Sequence, residues 1–421
     1  METGSYIAID LKTFYASVEC ADRGLDPFTT NLVVADPARG SGTICLAITP
    51  AMKALGIRNR CRVHEIPPNV EFIEVRPRMR RYMEVSAEIY AIYLRRFSEQ
   101  DIHVYSVDEC FIDVAPYLAL YSATPRELAI ALMDDVYREK HICATAGIGT
   151  NLFLAKVALD LISKHASDHI GELDRASFME RIWHHRPITD IWGIGPGIAR
   201  RLERYGAHDL AGVTRIDQAL LRREFGINAD RLIDHAWGRE PCTMADVKSY
   251  VPEAHSISNG QVLMRDYQAR EARVVMREMV DASALDLVSR RLACTGVALW
   301  CSHSWNDLDE PGGWQATRSL PAPTDSRRAL HEAIDELWET HVDERRAVRR
   351  LGIALTGLTD EKGSQPTLFD DPDALAAERS LGRCEAAIKG RFGRNALIRG
   401  VSLRPEATGM QRNAQVGGHH E

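Results

Sequence analysis

Residues 104–114 read VYSVDECFIDV. Val, Ile, Phe and Tyr are side chains that fit a pleated sheet, so the stretch reads as a β-strand or a tight pair of strands. In its middle stand Asp108 and Glu109. Burying one unpaired carboxylate is costly, and two in contact repel each other. A core strand that carries both needs something to neutralise them.

The neighbouring segments supply a setting. Residues 5–10 (SYIAID) form a short apolar strand ending in Asp10. A helix follows, with Phe14, Val18 and Ala21 on one face and Tyr15 and Glu19 beside it. A strand is expected at 31–36 (NLVVAD) and a short helix over Thr49–Leu55, with Pro50 near its first turn and Gly56 just past its end. Residues 83–97 read as an amphipathic helix. After the acidic strand pair come a helix over 125–138, a strand at 143–149 (CATAGIG) and a helix at 151–162 (NLFLAKVALDLI).

This order fits a mixed sheet with helices on one face, a ferredoxin-like arrangement. In such a sheet the first strand and the central hairpin are neighbours, so Asp10, Asp108 and Glu109 converge at one edge. Hard oxygen donors that leave room for water and phosphate suit Mg²⁺. Two such ions about 4 Å apart are the standard device for nucleotidyl transfer. The competing reading is a hairpin turn whose acids face water.

Beyond residue 173 the character changes. Residues 176–240 read as short helices with glycine turns. Residues 250–358 alternate strand-like segments (GVALWCS, RRLGIALTGL) with helical ones at 269–282 and 326–340, a second small α/β domain. From 359 the chain is polar and loop-like, with a later helix near 373–389. The fold class is therefore a multidomain α/β (α+β) protein.

The chain has 421 residues, 45% hydrophobic and 26% charged, an ordinary balance for a globular protein. That length suits about two to four domains. No apolar run approaches the roughly 20 residues of a membrane helix, and METGSYIAID lacks the regions of a secretory signal. Nine scattered cysteines with no CxxC pair read as reduced cytosolic thiols, most of them core filler. A net charge of −7 argues weakly against a nucleic-acid partner. Basic clusters nevertheless occur at Arg76–Arg81, Arg200–Arg204, Arg345–Arg350 and Lys389–Arg394. Local patches, not the total, bind phosphate backbones. For any one cluster alone, a solvated helix face is the plainer reading.

Four motifs in order, IDLKTFYASVE (9–19), YSVDECFID (105–113), GIGTNLFLAKVALD (147–160) and DIWGIGPGIARRL (190–202), together resemble the Y-family translesion DNA polymerases. The resemblance covers roughly residues 5 to 405 and is nearest the UmuC-like branch, in its single-chain Gram-positive-type members. It implies a right-hand polymerase with a palm from 1–13 and 80–172, fingers at 14–79, a thumb at 173–245, a little-finger domain at 250–358 and a tail at 359–421.

The resemblance also assigns residues. Asp10, Asp108 and Glu109 match the metal-binding and catalytic carboxylates, for two Mg²⁺, and Leu11 the position whose backbone carbonyl ligates as well. Tyr15 falls on the steric gate that excludes a 2′-hydroxyl. Thr13 and Phe14 lie where the dNTP triphosphate is contacted, partly by backbone amides. Lys53 matches the fingers cation; the DinB-like branch commonly has Tyr and Arg in this region, where this chain has Pro50 and Lys53. A lysine lacks the bidentate fork of arginine. Lys164, not Ser163, fits the UmuC-like spacing for a second phosphate cation. Gly193, Gly195 and Gly197 have the spacing of a helix-hairpin-helix, whose exposed amides bind DNA backbone together with Arg200 and Arg201.

SQPTLFDD (364–371) resembles a bacterial sliding-clamp peptide anchored by Gln365, Leu368 and Phe369. The alternative is that the apolar pair docks back on this chain. The implied partners are primer-template DNA, dNTP, the clamp and accessory SOS proteins, with no membrane. The implied location is cytoplasmic, on the nucleoid when active. The expected activity is error-prone, template-directed DNA synthesis past damage. A non-catalytic adaptor of the same family is the rival, disfavoured by the complete acidic triad and the gate tyrosine. A nucleotide cyclase on a similar palm gives no account of the helix-hairpin-helix.

Overall fold

A computed structural model describes residues 4–252, 255–304, 312–361 and 371–420. The chain divides into two compact units, Met1–Val251 and Pro252–Glu421.

The first unit runs β1 (Tyr6–Leu11), α1 (Phe14–Ala21), β2 (Leu32–Val34), β3 (Ala47–Ile48), α2 (Pro50–Ala54), β4 (Ile73–Val75), α3 (Met79–Tyr93), β5 (Ile102–Val104), β6 (Glu109–Asp113), α4 (Leu118–Tyr121), α5 (Pro125–Lys140), β7 (Ala144–Gly149), α6 (Leu152–Val157) and β8 (Ile170–Leu173). Five strands form one sheet in the order β5-β6-β1-β7-β8. Among the first four each strand is antiparallel to its neighbour, and β8 joins β7 in parallel. That is the expected ferredoxin-like core with one added strand. The strands β3-β2-β4 form a small separate sheet.

Alternation along the strands decides what each face carries. Ile7, Ile9, Cys110, Ile112, Ala146 and Ile148 face one core, which α1, α3 and α5 cover with Phe14, Tyr82, Ile89, Leu132 and Val136. Tyr6, Ala8 and Phe111 face the opposite side, where Leu152, Ala155 and Leu159 cover them. Helices therefore lie on both faces, not on one as the element order suggested. The reason is written in the GIG of β7. A Cβ on Gly147 would stand 2.2 Å from the Ala155 carbonyl oxygen, and one on Gly149 2.2 Å from the Ala155 nitrogen. Only glycine lets α6 lie directly on the strand. The helix then widens into a π-helical turn over Ala158–Ser163.

Short helices follow: α7 (Arg175–Arg181), α8 (Pro196–Glu203), α9 (Leu210–Val213), α10 (Gln218–Phe225), α11 (Asn228–Ala236) and α12 (Met244–Ser249). Phe178, Leu202, Leu221, Phe225 and Ile233 form their core, together with Phe153 and Val157 from α6.

The second unit holds β9 (Ser256–Tyr267), α13 (Ala269–Arg290), β10 (Leu292–His303), β11 (Gly313–Thr324), α14 (Arg327–His341), β12 (Val348–Asp360), α15 (Pro372–Phe392) and α16 (Gly409–Asn413). The sheet order is β11-β10-β12-β9, all antiparallel. Met276, Met279, Leu287, Leu330, Ile334 and Trp338 from α13 and α14 pack on Val297, Leu299, Ile353 and Leu355. The segment after β12 folds back on this unit. Arg379 in α15 makes two bonds to buried Asp325, at 2.6 and 2.8 Å. Glu278 on α13 accepts the Thr408 and Gly409 amides at 2.8 and 2.9 Å. Gln365, Leu368 and Phe369 lie outside the described residues.

Candidate active site

β1 brings Asp10 opposite Glu109 on β6 and opposite Thr145 on β7. Asp108 immediately precedes β6, and its carbonyl accepts the Leu11 amide at 2.9 Å. By strand alternation Asp10 shares the face of Tyr6 and Ala8, and Glu109 that of Phe111. This is the face on which α6 lies, so Asp10 and Glu109 point away from the main apolar core. Ser106 donates its hydroxyl to Asp108 at 2.6 Å. Asp10 and Glu109 thus meet across adjacent strands, with Asp108 at the entry to β6.

Burial, then the charges of Asp108 and Glu109, push the Asp10 carboxyl from 3.8 up to about 7. Folded Asp10 thus holds its proton more tightly than unfolded Asp10. Its contribution favours the folded chain fully below pH 3.8 and is lost as pH rises through about 7. In EDTA, Asp10→Asn should melt above the wild type at about pH 8, with the gap closing toward about pH 4. A lower melting temperature for the variant at the higher pH would mean that the acids do not crowd one another.

Glu109 is buried, 8% exposed, and has a partner the sequence reading missed. Lys156 on α6 donates to Glu109 Oε2 at 2.8 Å and to Asp160 Oδ1 at 3.1 Å. Burial pushes the Glu109 carboxyl up, and Lys156 pulls it part of the way back. Burial works against the Lys156 ammonium, but Glu109 and Asp160 outweigh it and hold its pKa above the usual lysine range. Glu109 Oε1 is buried with no hydrogen-bond partner. Among the described residues no three acidic, His or Cys side chains already stand as a metal-holding group. The donors are all hard carboxylate oxygens, they crowd one another, and one buried oxygen is unsatisfied. In donor chemistry this set fits Mg²⁺, and Lys156 bonds the other Glu109 oxygen.

Thr13 caps α1 with φ 49° and ψ 43°, in the left-handed region. A β-branched residue held there costs about 1–3 kcal/mol, a strain that sets the direction in which α1 starts beside Asp10. Phe14 is 2% exposed and packs in the main core, so its ring is not presented to a ligand. Tyr15 is half-buried. Burial raises its phenol pKa, and the charge of Asp108 adds to the rise.

Lys53 is exposed on α2. Its ammonium is lowered by desolvation first; Asp10 acts to raise it, and Lys12 and Lys164 to lower it further. Ser163 is fully buried and donates to the Leu159 carbonyl at 2.7 Å. Lys164 is exposed, 3.8 Å from Asp160.

Gly193 has φ 86° and Gly195 caps α8. All three loop glycines are exposed, and a Cβ on any of them would meet nothing within 4 Å. Arg200 is exposed beside them. Arg201 is turned away: it donates to the Glu224 carbonyl at 3.0 Å and lies 4.4 Å over the Phe225 ring. It braces α8 against α10 and leaves Arg200 as the cation on the loop side. Trp192, next to Gly193, donates to the Tyr105 hydroxyl at 3.2 Å, which ties this loop to the acidic hairpin.

The impB/mucB/samB family model matches residues 9–160, and the family's C-terminal-domain model matches residues 254–368. The chain is similar to DNA polymerase IV 2 of Bacillus subtilis (strain 168), with 32% identity over 98% of each chain. It is also similar to UvrX of that organism, named for UV-damage repair, with 29% identity over 98% of this chain and 97% of the other. A solved Y-family DNA polymerase chimera shares its fold, with a TM-score of 0.64 at 19% identity over 85% of this chain and 99% of the other. The chain belongs to the Y-family of translesion DNA polymerases. Among the described residues no helix is long and apolar enough to cross a membrane.

Proposed function

We propose that this Y-family chain adds deoxynucleotides, in template order, to a primer 3′-end and carries synthesis across damaged bases. The observation that carries the reading is Asp10 set opposite Glu109 with Asp108 at the entry to β6, acids whose charges reach Tyr15 and Lys53. In the reaction the primer 3′-oxygen bonds to the α-phosphorus of the incoming nucleotide, and pyrophosphate leaves. Asp10, Asp108, Glu109 and the Leu11 carbonyl would hold two Mg²⁺, which when bound activate the hydroxyl and neutralise the triphosphate.

The chain's own residues position and balance charge. Lys53 and Lys164 offset triphosphate charge, while the amides of Thr13 and Phe14 face its oxygens. Tyr15 lies under the sugar. The Gly193–Gly197 loop and Arg200 take duplex backbone phosphates. The domain limits implied by the family resemblance supply the palm, fingers, thumb and little finger for these roles. On a template with an abasic site, the chain should insert opposite the site and extend beyond it. A stop one base before the site, with normal synthesis on undamaged template, would remove the bypass part of the reading.

The sliding clamp is proposed as a partner through Gln365, Leu368 and Phe369, an apolar pair in a polar, acidic stretch. Each buried Leu or Phe is worth roughly 1.5–3 kcal/mol. Replacing Leu368 and Phe369 by Ala should leave extension of a short primer intact and remove stimulation by a loaded clamp. Loss of basal activity or thermal stability in that variant would place the pair in the chain's own packing.

A further inference from the structure

The Tyr15 ring has a second ring directly behind it. Tyr82, on α3, stacks on Tyr15 with centroids 4.6 Å apart and planes 20° apart. Tyr82 is 0% exposed, so it has no room to step back. Its hydroxyl donates to Glu19 Oε1 at 2.7 Å. Glu19 is itself 0% exposed. Arg78 grips both its oxygens at 2.9 Å, and Arg23 bonds Oε2 as well. Burial works against the Glu19 carboxylate, yet the bonds from Arg78, Tyr82 and Arg23 outweigh it and hold its pKa below the usual range.

The spacing makes this a unit. Tyr15 and Glu19 are four residues apart on α1, hence on one face. Arg78 and Tyr82 are four apart at the start of α3, again on one face. Two helical faces are therefore joined at two levels, ring on ring and carboxylate on guanidinium. Asp22, one turn further along α1, extends the join to Arg78 at 2.7 Å and Arg81 at 2.9 Å. The basic cluster at Arg76–Arg81 thus spends Arg78 and Arg81 on this join.

A ring excludes a 2′-hydroxyl only while it cannot swing aside. We infer that Tyr82, through its buried ring, is a positioning residue that sets sugar discrimination by holding the Tyr15 ring in place. This rests on the reading of Tyr15 as the sugar gate. Tyr82 touches no substrate; it acts through Tyr15.

The test compares single-nucleotide incorporation of dCTP and rCTP opposite a template guanine by the purified full chain, as kcat/KM for each. Tyr15→Ala is the control and should lose discrimination. Tyr82→Leu removes the backing ring and should lower the dCTP/rCTP ratio by about three- to tenfold, the range a stacked aromatic pair supplies, mainly by letting rCTP in. Tyr82→Phe keeps the ring, leaves Glu19 held by Arg78 and Arg23, and should retain the wild-type ratio. If Tyr82→Leu does not fold, Tyr82→Met, which fills the space with a flexible apolar chain, replaces it; failure of both assigns Tyr82 to the core alone and overturns the inference. Equal losses for dCTP and rCTP, or an unchanged ratio in folded Tyr82→Leu or Tyr82→Met, also overturn it. An unchanged ratio in Tyr15→Ala instead overturns the gate reading.

Discussion

Asp10→Ala and Asp108→Ala are each expected to reduce primer extension by at least about a hundred- to a thousandfold, with DNA binding nearly unchanged. Both carboxylates sit where sheet geometry, not chance, has gathered them: Asp10 is the register partner of Glu109, and the Asp108 carbonyl holds the Leu11 amide. Removing either relieves like-charge crowding, so the fold should not suffer. That separates this loss from misfolding: the variants should melt no lower than the wild type in EDTA. Extension within a few-fold of wild type in either variant would show that the acids are not the reacting centre.

Lys156→Met should produce the largest change in stability. Removing one partner of a buried ion pair typically costs about 3–5 kcal/mol, because the other charge stays buried. Here the remaining charge is Glu109, whose carboxyl burial already pushes up. Without Lys156 it will rise further. A raised carboxyl favours the fold below its unfolded pKa and loses that contribution as pH rises. The destabilisation should therefore be greatest in alkaline buffer and shrink as Glu109 takes a proton. Adding Glu109→Gln to Lys156→Met should recover much of the loss, a coupling that a double-mutant cycle measures directly. Additive effects of the two changes would mean that the pair is not a unit.

Much of this was legible in the chain itself. The apolar strands of the first sheet announce themselves through Val, Ile and Phe, and the Asp-Glu pair in their midst points to a site. Lys156 was not legible as a partner of Glu109. It stands in an apolar helix, and its reach depends on how closely α6 lies on Gly147 and Gly149, a tertiary fact. The same glycines place α6 on the opposite face from α1, α3 and α5. Arg201 looks identical to Arg200 in sequence, yet the carbonyl of Glu224 and the ring of Phe225 turn it inward. Strands β9 (SISNGQVLMRDY) and β11 (GWQATRSLPAPT) escape a sequence reading because small, polar, Gly and Pro residues dilute their alternation. Helix α15 was expected near 373–389, but its docking was not: it is held by ion pairs, Arg379 to Asp325, and Arg327 to Glu385 at 3.0 Å. Such pairings between distant segments leave no periodic trace.

The central claim is that these acids carry template-directed nucleotide addition. The most direct measurement offers the purified chain a primer-template and each dNTP singly, with Mg²⁺ and again with EDTA. Addition of the nucleotide complementary to the template base is expected only in Mg²⁺, and none by Asp108→Ala. Tight primer-template binding with no addition of any nucleotide in Mg²⁺ would contradict it and leave the non-catalytic adaptor in its place.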